Sequence, residues 1–151
     1  MKEAVFLTLE ECLRLHEEQI RRFGGLPGVR DLGLLESALS RPRSGYYATL
    51  SEQAAALLHS LIINPCFVSG NKRTAIAAST IFLHMNGFSL ETDTDDGKVF
   101  LMERVLRAKA ELSEIADWFA KRLKPLSPDI QKAYAEVSKR HRKSLDKLGR
   151  S

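Results

Sequence analysis

The residues able to do chemistry concentrate between Asn64 and Ala75, in the string N-P-C-F-V-S-G-N-K-R-T-A. Gly70 lets a backbone approach a ligand closely, Asn71 is a residue type that caps helices, and Lys72 to Met85 carries a helical pattern. The string therefore predicts a helix amino terminus, whose free N–H groups and positive dipole end favour an anion. Lys72 and Arg73 fall in the first turn of that helix, where a cation costs about 0.3–1 kcal/mol against the macrodipole. Such a placement points to a ligand that offsets the cost. Phosphate fits, with Arg73 offering a two-pronged contact and Lys72 a point charge.

Helices must position this string on both sides. Thr8 and Glu11 form a capping box that opens a helix to about Phe23, ended by Gly24-Gly25, and Val5 to Leu7 before it reads as a short strand. Asp31 caps a short helix through Leu39 that Pro42 ends. Thr49 and Glu52 make a second box before a buried, Ala-rich helix from Glu52 to Ile63, on which His59 reads first as a hydrogen-bonded structural residue. The helix from Lys72 to Met85 is apolar nearly all round and belongs in the middle of a bundle. Beyond Asn86-Gly87 come an extended Phe88 to Leu90, an acidic turn at Asp93 to Asp96, a helix carrying Val99, Met102 and Leu106, and another opened by Ser113. The class is all-α, with at most a small hairpin.

At Asn64 to Ala75 the chain resembles the Fic/Doc family, and within it the Doc (death-on-curing) branch, whose loop has the form N-H-P-F-x-D-G-N-K-R-T-A between two helices. The resemblance extends to F-L-T-L-E-E near the start, to I-R-R-F-G-G-L-P-G-V-R-D-L-G-L-L-E-S-A from Ile20 to Ala38, and to F-L-H-M-N-G-F from Phe82 to Phe88. It implies a helical bundle around a central buried helix, with a flap in the segment Arg41 to Leu50. Aligned without a gap on Gly70 to Ala75, Pro65 stands at the family's histidine and Ser69 at its acidic residue.

That alignment implies the following division of work. The family's histidine acts as general base toward a hydroxyl on a target protein, and its acidic residue holds Mg2+ on the phosphates of ATP or another nucleotide. Gly70, Asn71, Lys72 and Arg73 match and would bind phosphate. Pro65 supplies no base, and Ser69 is a weak metal ligand. The Doc branch implies a toxin–antitoxin protein with kinase activity toward elongation factor Tu and a cognate antitoxin as partner. With both groups missing, catalytic impairment is the expectation. The alternatives are an active transferase with a substitute base, for which His59 is the candidate, or a non-catalytic module binding a nucleotide or a partner.

Composition narrows the setting. The 151 residues are 44% hydrophobic and 28% charged, as in ordinary soluble domains, and no apolar run approaches the ~20 residues of a membrane span. A cytoplasmic protein is the expectation, with Cys12 and Cys66 as free thiols and Cys66 as a small buried residue. Residues 1–124 balance 16 basic against 16 acidic side chains, whereas 125–151 hold 7 against 3. The division is thus a Fic/Doc-like domain at 1–124 and a basic, amphipathic helical tail at 125–151, with Leu126 to Pro128 as hinge. The tail reads as a helix folded back on its domain, a dimer seam, or a partner or nucleic-acid helix.

Overall fold

A computed structural model describes residues 3–91, 97, 100–107 and 110–136. The acidic turn at Asp93 to Asp96 and the tail from Val137 onward lie outside the described residues, as does Val99 of the helix expected after that turn. Helix α1 (Leu9–Phe23) starts at the expected box: the Thr8 hydroxyl accepts from the Glu11 N–H at 3.2 Å, and the Glu11 carboxylate accepts from the Thr8 N–H at 2.8 Å. Its buried face carries Cys12 and His16, one turn apart. Asp31 caps α2 (Leu32–Ser40) by accepting from the Leu34 N–H, and a 3-10 turn, Arg41–Arg43, follows at Pro42.

Helix α3 (Leu50–Ile63) is capped by Thr49, whose hydroxyl accepts from the Glu52 N–H. Glu52 does not complete the box, because its carboxylate accepts from the Thr49 hydroxyl and not from the backbone. Ala54, Ala55 and Ala56 are wholly buried, and small side chains there let α4 (Asn71–Met85) lie close through Ala75 and Ala78. Around that contact pack Leu57, Leu58, Leu61, Phe67, Phe82, Leu83, Ile115 and Phe119. Each such side chain, fully buried, stabilises the fold by roughly 1.5–3 kcal/mol before entropy is counted. Helix α5 (Leu112–Arg122) closes the core from the other flank of α3.

Strands β1 (Phe88–Leu90) and β2 (Leu123–Pro125) form a two-stranded antiparallel ribbon, Leu90 opposite Leu123. The described residues are thus all-α with one small ribbon. Val5 to Leu7 forms no strand. The Asn86 side chain instead takes the place of a neighbouring strand, accepting from the Val5 N–H at 2.8 Å and donating to its carbonyl at 2.9 Å. The helix expected from Ser113 starts at Leu112, with Glu111 as cap. Around Met102 the backbone winds as a π-helix, Leu101–Val105.

After the irregular residues 126 and 127, Pro128 opens a further helix, residues 128–136. Leu126 N–H donates to Gly87, Gln131 donates to the Leu126 carbonyl, and Tyr134 meets His84 at 3.0 Å, so this helix lies on the carboxy end of α4. The described part of the tail therefore folds back on its own domain.

Candidate functional site

The loop between α3 and α4, residues 64–70, is held from three directions. From below, Cys66 and Phe67 turn wholly into the core. From the side, residues 28–31 pair with it: Val68 N–H donates to Gly28, the N–H groups of Arg30 and Asp31 both donate to Cys66, and Val29 bridges Phe67. The Arg30 guanidinium also donates to the Pro65 carbonyl. From α1, the His16 ring lies flat on Phe67, centroids 3.8 Å apart, and its Nε2 lies 2.8 Å from the Ser69 carbonyl.

Asn71 does not cap the helix. Gly70 occupies that position with φ +76°, a left-handed conformation that suits a residue without Cβ, and Asn71 becomes the first helical residue. The Asn71 side chain turns back instead: its Oδ1 accepts from the Phe67 N–H at 2.9 Å and its Nδ2 donates to the Phe67 carbonyl at 3.0 Å. Its amide thus shapes the loop, and its contribution to an anion is its own backbone N–H. Helix geometry leaves the N–H groups of Asn71, Lys72 and Arg73 without partners in the helix, while Thr74 N–H donates to Gly70.

Three cations belong to this loop and its flanks. Lys72 and Arg73 are exposed, and the Arg73 guanidinium sits 5.1 Å from the centre of the Phe23 ring, over which Arg22 also lies at 5.7 Å. Among the described residues, none of Arg30, Lys72 and Arg73 makes an ion pair with a carboxylate. Unpaired positive charge beside free amide donors is an arrangement that accepts phosphate oxygens. Beneath it Thr74 is wholly buried, and its hydroxyl has no hydrogen-bond partner.

A base and a metal ligand are harder to find. Pro65 is exposed with its carbonyl engaged by Arg30. A carbonyl only accepts, so His16 carries its proton on Nε2 and cannot take up another there. His59 is half-buried in α3 with an unpartnered Nδ1; burial first, then the Arg41 charge, lowers its pKa, against a smaller upward pull from Glu111. The charges it senses belong to the far flank of α3 and not to the loop. Ser69 holds the acidic residue's place against Gly25, where a Cβ would come within 2.5 Å of its Oγ. Among the described residues no three His, Cys, Asp or Glu side chains group to hold a metal. The donor set therefore fits a phosphate and does not fit a protein-held Mg2+.

His16, like His59, reads from the sequence as a hydrogen-bonded structural residue, which it is; that it grips the loop was hidden because its partners lie 51 to 53 positions away. The available signal was a polar ring one turn after Cys12 on an otherwise apolar stripe.

Comparison with known proteins follows the same residues. The model of the Fic/DOC family matches residues 6–83. The protein named Toxin Doc of Mycolicibacterium smegmatis is 46% identical over 100 residues, 62% of this chain and 77% of that one. The protein named Protein kinase doc of Escherichia phage P1 is 38% identical over 85 residues, 54% of this chain and 68% of that one. With a loop of this form seated between α3 and α4, the chain belongs to the Fic/DOC family.

Proposed function

We propose that this chain is the Doc-type member of a toxin–antitoxin pair which keeps a phosphate cradle and is impaired in transfer. What supports this is the loop itself: Lys72 and Arg73 are exposed in the first turn of α4, Arg30 reaches Pro65, none of the three pairs with a carboxylate among the described residues, and the family alignment puts Pro65 in the base's place. A nucleotide bound there would present its phosphates to these cations and to the backbone of Asn71, Lys72 and Arg73. ATP, when bound, supplies the phosphoryl group for transfer to a target hydroxyl. The chain's own residues orient and neutralise the phosphates, which is most of what phosphoryl transfer asks of a protein.

The removal of one proton is what the site lacks. A missing general base typically costs about 10²–10⁴ in rate. His16 Nε2 is committed to Ser69, and the surroundings of His59 are Arg41 and Glu111, so neither supports a substitute-base reading. With Ser69 neutral, phosphate charge is left to the three cations.

The test is the double reversion Pro65→His with Ser69→Asp, assayed by ATP-dependent labelling of elongation factor Tu, the target that the Doc-branch resemblance implies. The expected outcome is a parent with little labelling and a revertant with a large gain. An active parent with no gain on reversion overturns the proposal.

A further inference from the structure

A groove of about 660 Å³ runs between α3, α5 and the segment leading from the 3-10 turn to Thr49. Its Glu52 wall is remote from the loop, since Glu52 and Asn64 are 12 residues apart along α3, about 18 Å at the rise of a helix. Its floor is Leu112, Ala116 and Ala120, three positions four apart and hence one stripe of α5. Its walls carry Glu52, Glu111 and Asp117. Among the described residues, the carboxylates of Glu111 and Asp117 make no ion pair and no hydrogen bond.

Arg41, the cation in the lining, is already engaged, its Nε donating to the Tyr47 hydroxyl and its NH1 group to Ser60, both at 2.9 Å. Two further features mark a surface built to be covered. Tyr46 is 83% exposed, its ring set edge-on to Tyr47 with centroids 5.0 Å apart. Ser51 is only 6% exposed and lines the groove, and its hydroxyl makes no hydrogen bond among the described residues. An aromatic that exposed, beside a mostly buried residue whose hydroxyl lines the groove, resembles an interface anchor awaiting its partner.

We propose that this groove docks a basic, extended peptide segment of a partner protein. Charge complementarity selects the segment, since unpaired carboxylates over an apolar floor attract Lys or Arg side chains whose stems cover the floor. Tyr46 offers its ring face to a guanidinium, and Ser51 offers a hydroxyl to the backbone. Spacing narrows the choice further. Glu111, the cap of α5, and Asp117 are six residues apart, about 9 Å along the axis and on opposite sides of the stripe, a step that an extended chain, whose side chains alternate in direction, spans in about three residues. The segment therefore carries cations at positions i and i+3.

The experiment is fluorescence anisotropy of a labelled Arg-Ala-Ala-Arg-Ala peptide with the full chain, beside Arg-Arg-Ala-Ala-Ala and an uncharged peptide. The spaced peptide is expected to bind tightest, to weaken with added NaCl, and to lose about tenfold with Glu111→Gln/Asp117→Asn or with Tyr46→Ala. Neutral variants that keep the parent's circular dichroism separate lost docking from lost folding. Three results overturn the proposal: no binding of the spaced peptide, binding that the carboxylate variants leave unchanged, or binding that emerges only after Lys139, Arg140, Arg142, Lys143, Lys147 and Arg150 are replaced by serine. The last would assign the groove to the chain's own tail.

Discussion

His16 and Phe67 stack with ring planes 6° apart and centroids at 3.8 Å, so that α1 grips the loop through one pair of rings. The same imidazole donates to Ser69, which fixes the backbone two residues further on. Replacing it by alanine removes a buried ring and a hydrogen bond together. The expected cost for His16→Ala is about 2–4 kcal/mol. His16→Phe keeps the stack, loses only the bond, and should cost about 1–2 kcal/mol. Urea unfolding of both variants measures the split: equal losses would show that the stack contributes little, and an unchanged midpoint for His16→Phe would show that the bond to Ser69 does.

What the sequence made legible was local, and what it hid was assembled from distant parts. The Thr8 box, the Asp31 cap and the Ala-rich stripe of α3 could be read because their partners lie within one turn. The cation-bearing loop was readable for the same reason. The pairing of residues 28–31 with 66–68 was not, since a single antiparallel bridge leaves no alternating pattern in either segment. The cap of α4 was misread because Asn71 has the right propensity, yet its amide does better closing the loop on Phe67 while Gly70 takes the left-handed position. The groove along α5 depends on helices 60 residues apart and on exposed residues such as Tyr46, whose character no local rule registers.

Gly25 has φ +119° and faces Ser69 so closely that a Cβ would come within 2.5 Å of the hydroxyl. Two separate penalties follow for Gly25→Ala. The left-handed backbone resists any side chain, at about 1–3 kcal/mol, and the contact adds more. Ser69→Gly removes the contact and leaves the backbone penalty. In a double-mutant cycle the two changes should therefore couple favourably by about 0.5–3 kcal/mol. Simple additivity in urea midpoints would show that the two groups do not press on each other.

Thr74 carries a fully buried hydroxyl with no partner just beneath the first turn of α4. An unmet buried hydroxyl typically costs about 1–3 kcal/mol. Valine keeps the shape and drops the polar atom, so Thr74→Val should gain about 1 kcal/mol, a rise of about 2–4 °C in Tm for a chain of this size. Calorimetry with and without inorganic phosphate reads both effects. A fall in Tm, or loss of phosphate protection, would mean that the hydroxyl is used in the cradle.

Cys12 and Cys66 set the response to alkaline pH. Burial pushes the Cys12 thiol up to about 12, with a further push from Cys66. Burial likewise raises Cys66 to about 11, against smaller downward pulls from a backbone hydrogen bond and Arg30. In the unfolded chain a thiol titrates near ~8.5. Between that value and the folded ones, the unfolded state has released protons that the folded state still holds. Stability is then fully present below about pH 8.5 and falls as pH rises, by at most ~1.4 kcal/mol per unit for each thiol. The urea midpoint should drop between pH 8.5 and 10.5 in the parent and drop less in Cys12→Ala/Cys66→Ala. Lysines and tyrosines titrate alike in both proteins, so the difference between the two curves isolates the thiols, and parallel curves would remove the thiols as its cause.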